Sequence, residues 1–260
     1  MENKTTPVIC FVANFKYLYK NFPRIFQQLR VKGNYKDEII VITSLTCPSF
    51  LVKYMNKKNN ITILRFKKIK FDELTDRSFA NLKVNVNRHK TKKFQWHKLY
   101  LFHSELKKWP YIFYMDINMN IHHDVNNLLK ETPNNNLLAR ADGYPNYKWK
   151  LKSQFDSSHP EFNSLASEFD LEITDYFQTG LIYFDTKIIE DNTFMNIMHL
   201  IKKYPFSITN EQGILNLYFI FIKKQYKELI ETLDDKISYF YWKISDKEVI
   251  ITKALTTKNK

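Results

Sequence analysis

Two groups of side chains in this 260-residue chain carry oxygen-rich chemistry next to apolar runs. The first lies in residues 111–121, where Asp116 and Asn118 interrupt a stretch of Tyr, Ile, Phe and Met. That composition reads as a buried strand. An isolated carboxylate in such a strand costs several kcal/mol if unpaired. Asp116 therefore ends the strand and caps a turn, is hydrogen-bonded, or holds a cation. Residues two apart on an extended chain point the same way, so Asp116 and Asn118 offer two oxygens to a hard divalent cation, which also binds phosphate.

The second group is marked by glycine. The chain has only four. Gly33 sits at a helix-ending turn. Gly143, Gly180 and Gly213 each lie beside polar residues: Asp142-Gly143, Gln178-Thr179-Gly180 and Glu211-Gln212-Gly213. In so glycine-poor a chain, each marks a place where a Cβ does not fit, because the backbone turns sharply or a ligand comes close. Three such places, each with a polar pair, point to one shared site. With positive charge from Lys98, Arg77 or Arg88, the collection suits a diphosphate flanked by sugar hydroxyls.

The elements that must position these groups alternate. The continuous apolar run at 8–13 reads as a buried parallel strand, and 38–43 and 61–66 read as a second and a third strand. Helical spacing follows at 17–30, 48–56 and 94–108, the last with Leu99, Phe102 and Leu106 inward. Residues 71–95 are polar and less periodic. A short helix at 124–130, a strand at 137–141, a helix at 161–169, a strand at 176–186 and helices at 188–204 and 210–223 complete the pattern. Short strand pieces are expected at 238–243 and 249–252. The alternation predicts an α/β fold with a mostly parallel sheet flanked by helices. One domain over 1–260 is expected, with an insertion at 146–175 and a frayed tail at 254–260. Open sheets of this kind bind ligands beyond the carboxyl ends of their strands, where Asp116 and Asn118 belong.

Composition narrows the partners. The net charge of +13 could serve nucleic acid, an anionic membrane or a phosphate-bearing ligand. The lysines, however, occur as scattered pairs such as Lys67-Lys68, Lys92-Lys93 and Lys223-Lys224, and no nucleic-acid recognition motif is present. A chain rich in Lys, Asn and Ile, as AT-rich genomes encode, also weakens arguments from lysine content. Nucleic acid is therefore not expected. Cys10 and Cys47 sit beside apolar runs and read as small core residues, with no disulfide or zinc pattern. No signal peptide and no apolar run of about 18 residues is visible, so a cytoplasmic protein without a transmembrane segment is expected. His122-His123-Asp124 is a poor zinc pair, because adjacent residues on an extended chain face opposite ways. Trp96 and Trp109 read as packing residues, and Trp149 either as packing or as a platform for an acceptor.

Taken in order, these motifs resemble the GT-A-fold nucleotide-sugar glycosyltransferases, and most closely glycosyltransferase family 8, the glycogenin-like group. Lys98-Leu99 leads to Tyr114-Met115-Asp116-Ile117-Asn118, as a Lys-Leu helix leads to Asp-x-Asp there. Ala141-Asp142-Gly143-Tyr144-Pro145 is similar to the family's turn before the acceptor region. Phe177-Gln178-Thr179-Gly180 and Glu211-Gln212-Gly213-Ile214-Leu215-Asn216 are similar to its two later motifs. The resemblance covers roughly residues 8–220.

It implies transfer of a sugar from a nucleotide-diphosphate sugar, UDP-linked first of all, to a protein, glycan or small-molecule acceptor. Asp116 and Asn118 would hold Mn²⁺ or Mg²⁺ on the diphosphate, with Ile117 between them in the donor site. Ala13, Asn14 and Tyr17 would hold the base. Lys98, with Arg77 or Arg88, would neutralise phosphate. Asp142 and Gly180 would belong to the donor site, and Gln178, Glu211 and Gln212 would face sugar and acceptor as the catalytic set. The chain departs from the family in two ways. Asn118 is neutral, and no His follows His199 to supply the family's third metal ligand. Residues 239–243 stand in that region, with Lys243 as a cation for the diphosphate. A binding protein that keeps the fold without turnover is the second expectation.

Overall fold

The computed structural model describes residues 7–50, 52, 55, 60–84, 87–144, 147–229, 237–238 and 249–253. Seven strands form the main sheet: β1 Val8–Val12, β2 Ile39–Ser44, β3 Ile61–Phe66, β4 Tyr111–Met115, β6 Leu137–Ala141, β7 Phe177–Asp185 and β8 Tyr226–Glu228. Their order is β3-β2-β1-β4-β7-β6-β8. All pair in parallel except β7, which runs against both β4 and β6. The α/β, mostly parallel expectation holds. β5 Met119–Ile121, β9 Ile237–Ser238 and β10 Ile251–Lys253 make a second, three-stranded sheet.

The apolar runs form strands because both faces of the sheet are covered. Successive residues feed opposite cores, as a period of two requires. Cys10, Ile40, Ile112 and Tyr114 enter one core. Ile9, Phe11, Ile39, Val41, Phe113 and Met115 enter the other. Cys10 and Cys47 are both buried and free, as read from the sequence.

Several expected elements take a different form. Residues 17–30 make two helices, Phe15–Lys20 and Phe22–Val31, because Pro23 fits only a first turn and so restarts the helix after Asn21. The less periodic stretch 71–95 contains the helix Glu73–Ala80, capped by Asp72. The helix expected at 94–108 is two 3₁₀ segments, Lys93–Phe102 and Ser104–Lys108. Leu99, Phe102 and Leu106 do point inward, but Trp96 through Phe102 are buried without a break, so no solvent face remains for an amphipathic α-helix. At 124–130 only the 3₁₀ turn Val125–Asn127 forms.

Phe162–Glu168 is a helix as expected; the helix expected at 188–204 begins only at Thr193 and runs to Lys203, after the 3₁₀ turn Thr186–Ile188; and 210–223 divides into the α-helix Glu211–Asn216 and the π-helix Leu217–Ile222. Within the expected insertion, Leu151, Phe155, Phe162, Leu165 and Phe169 join the main core. Its base is closed by a bridge between Lys150 and Asp175, whose side chains pair at 2.7 Å. Of the helix expected at 48–56, Ser49, Phe50, Val52 and Met55 are helical, and residues 51, 53, 54 and 56 lie outside the described residues, as do most of the strand expected at 238–243 and the tail at 254–260.

Candidate functional site

The stretch 111–121 is not one strand. β4 ends at Met115, and the Met119 amide donates to the Asp116 carbonyl at 3.0 Å, closing a turn before β5 departs for the second sheet. Asp116 does sit at the carboxyl end of an interior strand. Asn118, however, lies on the turn, so the extended-chain spacing that would have aligned it with Asp116 does not apply. The reversed direction of β7 then brings the other motifs to the same edge. Its first residues lie beside the ends of β4 and β6. The Asp116 amide donates to the Gly180 carbonyl at 2.8 Å, and the Asp142 amide to the Tyr176 carbonyl at 2.8 Å.

At the centre is Lys98, only 5% exposed. Its ammonium lies 3.1 Å from Asp116 Oδ1 and 3.1 Å from Glu211 Oε1. It also donates to the Thr179 carbonyl at 3.1 Å and stands over the Tyr114 ring at 5.6 Å. Lys98 was expected at a phosphate; its ammonium is instead held between two carboxylates. A buried lysine needs such partners, because burial alone favours its neutral form. Burial acts to lower the Lys98 pKa, but Asp116 and Glu211 outweigh it and hold the ammonium above its ordinary value. Burial likewise acts to raise the Asp116 carboxyl, and Lys98, Lys253 and the Tyr114 hydroxyl (2.6 Å) outweigh it and keep Asp116 ionised. Burial, then Asp116, push the Tyr114 phenol well up, so it stays a donor.

Glu211 is 1% exposed. Its Oε1 accepts from Thr179 Oγ1 at 3.0 Å, and its Oε2 has no hydrogen-bond partner among the described residues. Gln212 braces the start of β7: its carbonyl oxygen accepts from the Thr179 amide at 3.0 Å, and its amide donates to Gln154 at 2.9 Å. Gln178 and the Tyr176 hydroxyl both donate to Asp142. Gly143 and Gly213 leave their space to protein atoms. A Cβ would come 2.8 Å from the Tyr147 Cα at the first and 2.7 Å from Ser207 Oγ at the second. Packing accounts for both, without a ligand.

Ahead of Glu211, Asn210 adopts φ 57°. Its amide reaches the carbonyls of Arg88 and Lys92, both at 3.3 Å, and Gln95 Oε1 at 3.1 Å. This ties the short helix Arg88–Thr91 to the site. Burial, then Arg88 and Lys253, lower the Lys92 pKa, so these cations crowd one another. Lys253, in β10, pairs in register with Met119 just beyond the Asp116 turn. Sequence reading missed Lys92 and Lys253. In a chain with 40 Lys and Arg, no local pattern distinguishes them.

A separate cavity of about 350 Å³ is lined by Asn14, Ser44, Thr46, Lys68, Phe94 and His97 among others. It opens where the chain leaves β1, β2 and β3. Asn14 caps the helix Phe15–Lys20 by accepting from the Tyr17 amide at 3.0 Å. Ala13 is buried, and its amide donates to Ile42. Tyr17 is exposed and does not line the cavity. His97 does: its ring stacks on Phe94, its Nε2 has no partner among the described residues, and burial, then Lys68, lower its pKa to about 4. Arg77 is elsewhere, paired with Glu73 at 2.8 Å and lining a different hollow with Asp156 and His159. Lys243 lies outside the described residues. His122 is bonded to Thr252 at 2.8 Å, and no group of three His, Cys, Asp or Glu residues suited to a metal occurs among the described residues.

A divalent cation fits this donor set poorly. Asp116 Oδ1 is already engaged by Lys98 and Tyr114, Glu211 Oε1 by Lys98 and Thr179, and Asn118 is neutral and on a turn. Asp142, the other carboxylate at this edge, accepts from Gln178 and Tyr176, and the remaining nearby charges among the described residues are positive.

No protein-family profile matches the sequence, and no curated protein is similar to it at a significant level. Solved structures do match. An active-site mutant of LgtC superposes with a TM-score of 0.63 at 13% identity, over 96% of this chain and 87% of that one. The galactosyltransferase LgtC in complex with donor and acceptor sugar analogues gives 0.57 at 13% identity over the same shares. Mouse xyloside xylosyltransferase 1 gives 0.54 at 9% identity, over 95% of this chain and 97% of that one. The chain resembles these enzymes in architecture, and its fold is the GT-A fold of glycosyltransferases.

Proposed function

We propose that the protein is a glycosyltransferase that moves a sugar from a nucleotide-diphosphate sugar to an acceptor. The observation that carries this reading is the meeting of Asp116, Lys98, Glu211, Gln178 and Asp142 at the carboxyl edge of the sheet. In this reading the cavity beside Asn14 takes the nucleoside, and the diphosphate crosses towards Ile117 and the Asp116 turn. Gln178 and Asp142 face the sugar across Gly180, and the buried Glu211 holds Lys98 and Thr179 in place at this edge. Positive charge fixed beside the departing diphosphate is the largest electrostatic aid to such a reaction. The Mn²⁺ or Mg²⁺ that the resemblance implies finds too few free oxygen ligands here, so no step is assigned to it. UDP-linked sugars are the first donors to test, and the acceptor is a protein, glycan or small molecule. Nucleic acid is not part of this reading. No helix among the described residues is long and apolar enough to cross a membrane; a cytoplasmic site of action belongs to the same proposal.

The test is a panel of nucleotide sugars, scored by release of nucleoside diphosphate and by thermal shift. Turnover of one donor, lost in Asp116→Asn, supports transfer. Thermal stabilisation by a nucleotide sugar without turnover supports the second reading, a binding protein. That reading has its own observation: Lys98 already occupies both carboxylates, and the Gln212 side chain is fully engaged with Thr179 and Gln154.

A further inference from the structure

We propose that Lys253, Lys92 and Arg88 form the donor's diphosphate clamp, so that nucleotide binding needs no divalent metal. The inference rests on the donor reading above and adds how the diphosphate charge is met.

Three elements deliver these cations to one place. β10 pairs antiparallel with β5, setting Lys253 opposite Met119, whose amide is bonded to the Asp116 carbonyl. Lys92 ends the helix Arg88–Thr91. The Asn210 side chain fixes the backbone of Arg88 and Lys92 beside Glu211. Among the described residues, none of the three side chains makes an ion pair, whereas the Lys98 ammonium is consumed by Asp116 and Glu211. Among the described residues, four cations therefore face three carboxylates, Asp116, Glu211 and Asp142, the last already accepting from Gln178 and Tyr176.

This balance disfavours a dication and favours an anion. The mutual repulsion that helps lower the Lys92 pKa is relieved when negative charge arrives. A sugar-linked diphosphate carries about two negative charges and several acceptor oxygens, which suits flexible lysines and a forked guanidinium. Mn²⁺ or Mg²⁺ in a nucleotide site needs one or two available carboxylates besides phosphate and water, and here Asp116 and Glu211 are both paired with the Lys98 ammonium.

The experiment is calorimetric titration of UDP into the full chain, in EDTA and then in Mn²⁺, with CDP, ADP and GDP as further probes. UDP, or another of these nucleotides, is expected to bind in EDTA with an affinity within about twofold of that in Mn²⁺. Lys253→Ala and Lys92→Ala should each weaken that binding by about tenfold, the size of one charge-assisted contact. Lys202→Ala, an equal charge change at an exposed lysine paired with Asp72, should leave it unchanged. Unchanged melting temperatures in the absence of ligand exclude misfolding as the cause. Binding that appears only with Mn²⁺ overturns the inference and leaves the donor reading standing. Equal affinity in wild type, Lys253→Ala and Lys92→Ala overturns the clamp. Absence of binding by all four nucleotides, with or without Mn²⁺, overturns the donor reading and the inference with it.

Discussion

Replacing Lys98 by Met keeps the stem's volume and removes the ammonium. Asp116 and Glu211 then share a buried pocket with no cation between them. Each contact at 3.1 Å is worth about 5 kcal/mol at an effective dielectric of about 20. Desolvation of the ions offsets several kcal/mol per group, and removing one partner of such a pair costs about 3–5 kcal/mol. Against a domain stability of about 5–15 kcal/mol, the variant should fold but melt well below wild type. Urea unfolding measures the loss.

The pH dependence provides an independent check. In wild type the folded pKa of Asp116 is depressed, so its contribution is present above the ordinary carboxylate range and is lost as pH falls through the folded value. In Lys98→Met the Asp116 carboxyl loses the cation that offsets its burial, and its folded pKa rises above the unfolded value instead. Acidification from pH 7 to 5 should then restore stability in the variant. Adding Glu211→Gln should recover most of the loss at pH 7, because a neutral amide still accepts from Thr179. A Lys98→Met variant that loses under about 1 kcal/mol, or shows no rescue by Glu211→Gln, would refute the charge account.

Asp116→Asn should reduce donor turnover by at least about a hundredfold while circular dichroism stays native, since it removes a charge at the reacting edge. His97 should make the fold acid-sensitive. The unfolded chain takes up its proton from about pH 6.5, the folded chain only near the lowered pKa of about 4. Stability should therefore fall as pH drops through this window, by at most about 3 kcal/mol, and His97→Gln should flatten the melting-temperature profile between pH 7 and 4.5. Asn210→Ala should cost about 2–3 kcal/mol by urea unfolding, through its three lost hydrogen bonds. Asn210→Gly should cost less, because glycine is at ease at φ 57°. Gly213→Ala should destabilise by about 1–3 kcal/mol through its clash with Ser207 and Phe155, and nucleotide affinity measured on the folded fraction should be unchanged.

β1 and β2 were legible because their apolar residues are buried on both faces, and Asp116 was legible as the carboxylate that follows the apolar run of β4. The direction of β7 was not. Residues 176–186 read the same way whether the strand is parallel or antiparallel, yet the reversal is what puts Gly180 against Asp116. The role of Lys98 had a readable signal: a lysine inside Trp96-His97-Lys98-Leu99-Tyr100 is buried whichever helix forms, and a buried lysine implies a carboxylate. Lys253 had none, since only the pairing of β10 with β5 brings it near the Asp116 turn. Glycine scarcity carried no ligand signal at two positions: Gly143 and Gly213 are set by packing against Tyr147, Ser207 and Phe155.

The 3₁₀ winding of Lys93–Phe102 makes that segment a spacer of fixed reach. Three residues per turn stack Gln95 directly beneath Lys98, so one side of the rod meets two consecutive residues, Asn210 and Glu211. An α-helical winding would swing the two side chains about 60° apart. It would also shorten the ten residues from about 20 Å to about 15 Å, withdrawing the ammonium from Asp116 or pulling the following chain off the entry to β4. Inserting or deleting one residue between Gln95 and Lys98 would break the same alignment. This stretch is therefore a length standard for the site, and its tolerance for such changes should be lower than that of the helices on the sheet's outer faces.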